Sequence, residues 1–325
     1  MTRLRPVRPL IAALMVAGAA AAQDRVLWRN PGAVERIDFR YPAGGATYQP
    51  VRPYHFVSED FTGSSPKVVI RDAASVNWRV KGGYEIKSES FATRLAAALG
   101  YYAESNCFVR KARIEGVPPL RRAAPFVHSD GWFVNAALER RDPELRFLAQ
   151  DWAWNYNPFL GTRELQGLKV LMMLLSNWDN KDARDRAIGS NTGILEQRVK
   201  NRVQLIYFVN DWGQTLGAWG ADYRPKGWDC TRFTAQTEGF VRGRDGDKIR
   251  FGFVGLHTDE FANDVRVEDA RWLLGYLGRI TNPQLRTGLR ASGATAAECR
   301  CFTTALRKRI NQLRRASRIP RASGR

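Results

Sequence analysis

Histidine and cysteine are both scarce in this chain, which has three of the former and four of the latter among 325 residues. None of the three histidines, His55, His128 and His257, is spaced with cysteine or aspartate as a zinc site requires. No local signature of serine–histidine or cysteine–histidine catalysis accompanies them either. The sequence therefore gives no support to a zinc enzyme or to a hydrolase with a histidine-activated nucleophile.

Long apolar runs are also absent from most of the chain. After residue 22, no segment approaches the roughly 18 uninterrupted apolar residues of a transmembrane helix, so we expect no membrane span. Before that point, an apolar stretch from Leu10 to Ala22 follows three arginines, Arg3, Arg5 and Arg8. This pattern is typical of a cleavable secretory signal. We therefore expect residues 1–22 to be removed, Gln23 to begin the mature protein, and that protein to be periplasmic or secreted.

Export determines how the cysteines are interpreted. In an oxidising compartment, the four cysteines allow up to two disulfides in three alternative pairings, among Cys107, Cys230, Cys299 and Cys301. The sequence does not determine which pairing forms.

Acidic residues are outnumbered by basic ones, with 32 Asp and Glu against 51 Lys and Arg and a formal net charge of +19. Losing the three signal arginines leaves +16. Such an excess raises the affinity for any polyanion, whether nucleotide, nucleic acid, anionic lipid or acidic glycan. Because no nucleic-acid-binding signature accompanies it, we expect no specific nucleic-acid partner. An arginine-rich solvated surface is the simpler explanation of the charge.

The order of predicted elements changes along the chain. An extended lead-in is expected over residues 23–53. Residues 54–117 are predicted to be rich in strands. Three strands, at 54–59, 67–72 and 78–81, precede a helix at 88–99, and two strands, at 106–109 and 112–115, follow it.

Residues 118–313 are predicted to be mainly helical, with helices at 142–155, 162–176, 267–277, 283–291 and 296–313. Two strands are expected inside this region, at 192–196 and 203–210, and residues 212–264 read as loop. A basic tail covers residues 314–325. The pattern favours the α+β class, with a small antiparallel sheet followed by a larger helical part.

One pair of charged residues in the strand-rich region suggests chemistry. Lys81 ends a predicted strand, and Glu89 lies early on the next helix. Phosphoryl transfer needs a cation on the phosphates and a carboxylate that holds this cation in place. The spacing of Lys81 and Glu89 suits that pairing, although a solvated surface pair would also explain it.

A second group of residues is more specific. Asp179, Lys181, Asn191 and Asp211 follow one another across a helix end and two predicted strands, and Gly213 comes two residues after Asp211. A kinase catalytic loop needs a carboxylate to receive a hydroxyl proton, a lysine on the transferring phosphate, and an Asn and an Asp for the metal. An acidic loop at a helix end is the alternative explanation.

On these residues the chain resembles the kinase-like superfamily over about residues 54–313, in its atypical branch of phosphoinositide-type, HipA-like and secretory-pathway kinases. It is also similar to a set of bacterial exported proteins in two sequence segments, residues 157–165 and 176–182. The resemblance implies a two-lobed protein-kinase-like fold, with a small N-lobe at 54–117 and a helical C-lobe at 118–313. It also implies ATP or another nucleotide, with Mg²⁺ or Mn²⁺, as cofactors.

The resemblance assigns a role to each matching residue. The implied catalytic residues are Asp179 and Lys181. The implied nucleotide-binding residues are Lys81, Glu89 and Gly63. The implied metal ligands are Asp211 and Asn191, with Asp182 or Asp185 as a substitute for Asn191 within the loop.

The chain also departs from the family's pattern. Asn191 lies 12 residues after Asp179, Trp212 stands where the family has Phe, and Gly63 is the single glycine of the loop that would cover the phosphates. Two functions follow. One is an exported phosphotransferase with an unknown acceptor, and the other is a catalytically inactive kinase-like module that binds an anionic ligand or partner.

Overall fold

The structure is a computed structural model that describes residues 23–63, 65–148, 150–220 and 227–318. The predicted signal segment, residues 1–22, and the end of the predicted basic tail lie outside the described residues. The fold belongs to the α+β class, as expected, with mainly antiparallel strand pairing and several helices.

The strands in chain order are β1 (Gln23–Val26), β2 (Tyr54–Asp60), β3 (Lys67–Asp72), β4 (Asn77–Lys81), β5 (Asn106–Glu115), β6 (Trp132–Arg141), β7 (Leu145–Phe147), β8 (Thr192–Val199), β9 (Arg202–Val209), β10 (Val241–Asp245) and β11 (Lys248–Phe251). The helices are α1 (Ile86–Ala98), α2 (Arg163–Leu174), α3 (Cys230–Ala235), α4 (Thr258–Ala262), α5 (Val267–Leu277), α6 (Asn282–Ala291) and α7 (Ala296–Ala316). Short 3-10 helices occur at Val34–Arg36, Ala46–Tyr48 and Ala183–Ile188.

Five strands form a closed barrel in the order β2-β3-β4-β6-β5. Every pair is antiparallel except β2 and β5, whose parallel contact closes the barrel. Because side chains alternate along a strand, Trp78 and Val80 of β4 point into the apolar core while Arg79 and Lys81 point away from it. The barrel thereby fixes two cations on one outward face of β4.

The barrel corrects several predicted boundaries. The two strands expected at 106–109 and 112–115 are one strand, β5, and β6 was not predicted at all. Since β6 pairs with both β4 and β5, the barrel continues to Arg141, beyond the predicted end of the strand-rich region at residue 117.

The helix predicted over residues 142–155 is wrong. Pro143 disfavours a helical conformation at Asp142. β7 then pairs with β8 at the edge of a second sheet, and the Leu148 N–H donates to the Ile194 carbonyl at 2.9 Å. Pairing with a distant strand outweighs the local helical pattern here.

The second sheet has the order β1-β9-β8-β7, and β1 joins β9 in parallel. The predicted strands at 192–196 and 203–210 are therefore present as β8 and β9. The lead-in expected to be extended contains β1 and two of the 3-10 helices. The segment 212–264, expected to be loop, contains α3, the β10–β11 hairpin and α4.

The largest apolar core lies among α1, α2 and the C-terminal helices α5 to α7. Thr162 caps α2, since its hydroxyl accepts the Leu165 N–H, and the helix is followed by Ser176 at a φ of 58°. From Leu165 to Leu174 every residue of α2 is buried, including the polar Gln166 and Lys169. Within the described residues, no helix is long and apolar enough to cross a bilayer.

A disulfide joins Cys230 at the start of α3 to Cys301 on α7. Cys107 and Cys299 are buried thiols. One of the two disulfides that four cysteines allow is therefore formed, between residues 71 positions apart.

Arg309 on α7 is a fully buried cation in the helical core, with 0% of its surface exposed. Its guanidinium donates to the Leu174 carbonyl at 2.9 Å, the Ser176 hydroxyl at 2.8 Å and the Phe233 carbonyl at 2.9 Å. It also lies 3.6 Å from the centre of the Phe233 ring. Burial lowers the pKa of Arg309, and the polar and aromatic contacts compensate part of the lost hydration. This contact ties α7 to the end of α2.

We expect Arg309→Met to lower the free energy of unfolding by about 2–4 kcal/mol, because it leaves buried carbonyl groups without donors. The exposed Arg300 on the same helix provides the matched control, and Arg300→Met should change stability by less than about 0.5 kcal/mol. Urea unfolding of both variants measures the difference. Equal stabilities of the two variants would contradict a structural role for Arg309.

Candidate functional site

The predicted ion pair between Lys81 and Glu89 is present. Lys81 ends β4 and Glu89 lies in the first turn of α1, so the barrel and the helix meet at this contact. The Lys81 Nζ lies 3.0 Å from Glu89 Oε1 and 3.1 Å from Oε2. Of the two explanations left open by the sequence, the solvated surface pair does not apply, since only 18% of the Lys81 side chain and 6% of the Glu89 side chain are exposed.

A third charged group, Glu139 of β6, completes this contact. The Lys81 Nζ lies 2.6 Å from Glu139 Oε1, and Arg79 Nη1 lies 3.2 Å from Glu139 Oε2. Burial by itself would raise the pKa of Glu139, but the charges of Lys81 and Arg79 outweigh it and lower the pKa to about 2. Glu139 therefore keeps its negative charge between two cations.

The pKa of Glu89 shifts in the opposite direction. Burial raises the pKa of Glu89 well above its ordinary value, an effect that the Lys81 charge reduces and the Glu139 charge increases. One ammonium cannot compensate two buried carboxylates equally. Because Arg79 also contacts Glu139, Glu139 is the carboxyl that stays negatively charged. Glu89 is the carboxyl that more readily holds a proton.

Asp179 lies on a loop that leaves the end of α2. Trp154 holds this loop in place, since its indole N–H donates to the Asn180 carbonyl at 3.1 Å. Asn191 closes the loop from the other side, because its amide nitrogen donates to the Asp179 carbonyl at 2.6 Å. Lys181 is near as well, with its Nζ 3.5 Å from Asp179 Oδ2. Three of the predicted residues therefore meet, despite the 12 positions between Asp179 and Asn191.

Asp211 follows β9 and faces the same space. Its Oδ1 accepts the Gly213 N–H at 2.7 Å, which folds the chain back towards α1. The Ser88 hydroxyl donates to the Gly213 carbonyl at 2.5 Å, and a side chain at position 213 would collide with Glu85. Glycine is therefore required at 213 by this close approach rather than by an unusual φ.

The charge of Asp211 raises the pKa of two acidic neighbours, Asp179 and Glu85. Burial raises the pKa of Asp179, the Lys181 ammonium opposes this increase, and the charge of Asp211 adds to it. Asp211 similarly contributes to the raised pKa of Glu85, for which burial is again the largest cause. The site thus concentrates more negative charge than its own cations compensate.

One cavity of about 460 Å³, between the barrel and the helical part, is lined by Lys81, Glu139, Asp179, Lys181, Asn191 and Asp211. This volume lies within the range of small-molecule sites. Glu89 is not among the lining residues of the cavity and acts on it through the contact with Lys81. Among the residues that the structure describes, nine charged ones line it, four basic and five acidic: Lys67, Arg79, Lys81, Lys181, Glu85, Glu104, Glu139, Asp179 and Asp211. We call this cavity the cleft.

Gly63 lies at the rim of the cleft, on the turn between β2 and β3. A Cβ at Gly63 would lie 3.3 Å from the Lys67 Nζ, so the turn passes directly over this lysine. Burial lowers the pKa of Lys67, and the Arg79 charge lowers it further. Lys67 is thus a second buried lysine beneath the loop predicted to cover phosphates.

The structure does not bring Asp182 into the cleft. Its buried carboxylate accepts the Trp154 N–H at 2.9 Å and contacts the Arg184 guanidinium at 2.6 Å. It groups instead with Asp185 and His257, whose Nε2 lies 2.6 Å from Asp185 Oδ2. The structure therefore places Asp182 with Asp185 and His257 rather than beside Asp211. Asp182 already serves as an N-cap and as the partner of Arg184.

Sequence reasoning missed several residues of the cleft. Arg79 was detectable, because it lies two positions before Lys81 and residues so spaced share one face of a strand. Glu139 was not, since β6 itself was not predicted. Glu104 belongs to an irregular segment before β5 and carries no pattern. Glu139 and Glu104 are recognisable only once the barrel is closed.

We expect Glu104 to make stability depend on pH. Burial, with a contribution from Glu139, raises the pKa of Glu104 from 4.5 to about 7. The folded state therefore retains a proton that the unfolded chain releases. The stabilisation from this proton is complete below pH 4.5, the ordinary pKa, and is lost as pH rises towards about 7, the pKa in the folded protein. Glu104→Gln should reduce the fall in unfolding free energy over that interval by roughly 1–3 kcal/mol.

The control for this measurement is Glu144→Gln, because Glu144 is exposed. Urea unfolding at several pH values distinguishes the two variants. An unchanged pH dependence in Glu104→Gln would show that this carboxyl ionises normally in the folded protein.

The cleft thus joins three groups that are distant in the sequence. They are a lysine between buried carboxyl groups, an aspartate on a loop held by two hydrogen bonds, and a second aspartate beside a close helix contact. Comparisons of this chain with protein-family models, with curated proteins and with solved structures give no match.

Proposed function

We propose that the protein is a phosphotransferase of the kinase-like type that binds a nucleotide and a divalent metal in the cleft. One observation carries the proposal: Lys81, Asp179, Lys181, Asn191 and Asp211 line one cavity although they lie as much as 130 positions apart. Phosphoryl transfer uses this combination of charges. The acceptor of the phosphate is left open.

The element order supports a two-lobed kinase-like arrangement. Three strands, a helix and two strands, from β2 to β6, would form the N-lobe, and the helices from α2 onwards the larger C-lobe. The parallel closure between β2 and β5 is a feature of this chain. We propose the end of β6 as the boundary between the lobes, in place of residue 117.

Lys81 is proposed to bind the phosphates. Its ammonium is held by Glu89 and Glu139, and the carboxylate of Glu139 raises its pKa well above the ordinary value despite burial. A lysine so placed stays charged and oriented before a ligand arrives, which is the condition for electrostatic stabilisation of a phosphoryl group. Lys67 and Gly63 are proposed to contact the same phosphates from the β2–β3 turn.

Asp179 is proposed as the group that receives the proton of the attacking hydroxyl. Its raised pKa suits a base better than that of an ordinary aspartate, because a carboxylate with a higher pKa accepts a proton more readily. Lys181, whose Nζ lies 3.5 Å away, is proposed to neutralise charge on the transferred group.

The donor groups fit a divalent metal. Asp211 offers a carboxylate with one oxygen not engaged by Gly213, and Asn191, with its amide nitrogen bonded, offers an amide oxygen. Oxygen ligands of this kind suit Mg²⁺ and Mn²⁺. A bound cation would supply charge neutralisation for the phosphates and would relieve the repulsion between Asp211 and Asp179.

The alternative is a catalytically inactive kinase-like module that binds an anionic ligand or partner. The absence of a glycine-rich loop in the sequence favours it, as does the proposed export, since ATP is scarce outside the cytoplasm. Export itself rests on the N-terminal signal pattern and agrees with the Cys230–Cys301 disulfide, which an oxidising compartment would preserve.

Nucleotide binding should stabilise the mature protein only when metal is present. With ATP at about 100 times its dissociation constant, and with Mg²⁺ or Mn²⁺, we expect a gain of about 2.7 kcal/mol, seen as a rise in Tm. Asp211→Asn should abolish this rise because it removes the main metal ligand. Asp247→Asn, at an exposed position, should retain it. A rise of the same size without metal would argue against the proposed site.

Asp179→Asn should separate catalysis from binding. We expect it to keep the metal-dependent rise in Tm and to lower the rate of phosphate release from ATP by about 10²–10⁴-fold, because a base acts in the transition state. Single-turnover hydrolysis assays measure this rate. If Asp211→Asn abolishes binding but neither substitution changes the rate, the protein is the inactive binding module.

A further inference from the structure

A second cavity, of about 370 Å³, shares no lining residue with the cleft. The lead-in, the end of α1, the end of β6 and the second sheet form its walls. Four aromatic residues contribute to it, namely Trp28, Tyr48, Tyr101 and Tyr102. Three charged residues do so as well, namely Arg29, Arg140 and Asp142. We call it the rear cavity.

The rear cavity and the cleft lie on opposite sides of the same chain segments. On β6, Glu139 lines the cleft and the next residue, Arg140, lines the rear cavity. In the segment before β5, Glu104 lines the cleft, whereas Ala103 and Ser105 line the rear cavity. On β6 this alternation follows from the extended backbone, in which consecutive side chains point to opposite sides. The rear cavity is therefore a separate site.

Arg140 gives the rear cavity its chemistry. Its guanidinium carbon lies 4.3 Å from the centre of the Tyr48 ring, so the cation is stacked and held in place. Its Nε is shielded from water, and within the described residues no group accepts a hydrogen bond from it. Because this atom is covered by the protein, a ligand would meet Arg140 through the terminal nitrogens of its guanidinium, which form the fork that a carboxylate matches.

The neighbours of Arg140 favour a particular ligand. Among the described lining residues, two guanidinium groups and one carboxylate leave an excess of one positive charge, which suits a monoanion. A carboxylate matches the fork of a guanidinium. The aromatic walls suit a flat apolar body, and the volume is that of a small organic molecule.

The lead-in is shaped to hold the Tyr48 ring in this position. Gly44 has a φ of +90°, and a Cβ there would overlap the Tyr48 ring. The Tyr48 carbonyl accepts from the Ser105 hydroxyl at 3.4 Å, which fixes the backbone below the ring. The aromatic wall beside Arg140 is thus built into the fold.

We propose that the rear cavity binds a small aromatic carboxylate, with its carboxylate on Arg140 and its ring beside Tyr48. This site goes beyond the proposed phosphotransferase function and does not depend on it.

The test is calorimetric titration of the mature protein with phenylacetate, with phenylacetamide and with benzylamine. These three probes share a ring and differ in charge. We expect phenylacetate to bind at least tenfold more tightly than the neutral and cationic probes. Equal affinities for the three, or no binding of phenylacetate at millimolar concentration, would overturn the proposal.

Four variants locate the binding. Arg140→Gln should weaken phenylacetate binding at least tenfold, and Arg110→Gln, at an exposed position on β5, should not. Ala97→Leu, which adds bulk to the cavity wall without altering Arg140, should weaken it independently if Arg140→Gln does not fold. Asp211→Asn should leave it unchanged, so failure of the nucleotide proposal is distinguishable. Unchanged binding in Arg140→Gln or in Ala97→Leu would place the probe elsewhere and overturn the assignment.

Discussion

The ammonium of Lys81 lies between two buried carboxyl groups that belong to different elements of the fold. Glu89 is carried by α1 and Glu139 by β6, while Lys81 itself ends β4. Buried carboxylates need a compensating cation, so the three elements are held together by a shared charge as well as by apolar packing. The geometry of the cleft depends on this contact, because it fixes α1 against the barrel and places Glu85, also near Asp211, at the start of the same helix.

The opposite wall of the cleft is organised by contacts that lie well away from it. Arg309 bonds to Ser176 and to the Leu174 carbonyl at the end of α2, immediately before the loop that carries Asp179. Trp154 bonds to the same loop from a different segment. The helical core therefore sets the position of Asp179. Packing deep in the protein thereby determines where this carboxyl lies in the cleft.

The sequence predicted much of the site because its residues follow strong local patterns. Lys81 follows an alternating strand, Glu89 begins an amphipathic helix, and Asp179 and Asp211 follow an apolar helix and an apolar strand. Residues without a local signal were missed: Glu139 lies on a strand whose pairing partners are distant, and that strand was not predicted. Asp182 shows the converse, since its position in the loop suggested a ligand, whereas its contact with Arg184 is visible only in three dimensions.

Strand β6 has one cavity on each side, and this places a thermodynamic condition on the protein. Glu139 and Arg140 are joined by a peptide bond, so a ligand that shifts either side chain through the backbone changes the surroundings of the other. Any such effect is reciprocal: if occupation of the rear cavity alters affinity in the cleft by some factor, occupation of the cleft alters affinity in the rear cavity by the same factor. The binding affinities of the two sites would then be coupled although no ligand contacts both.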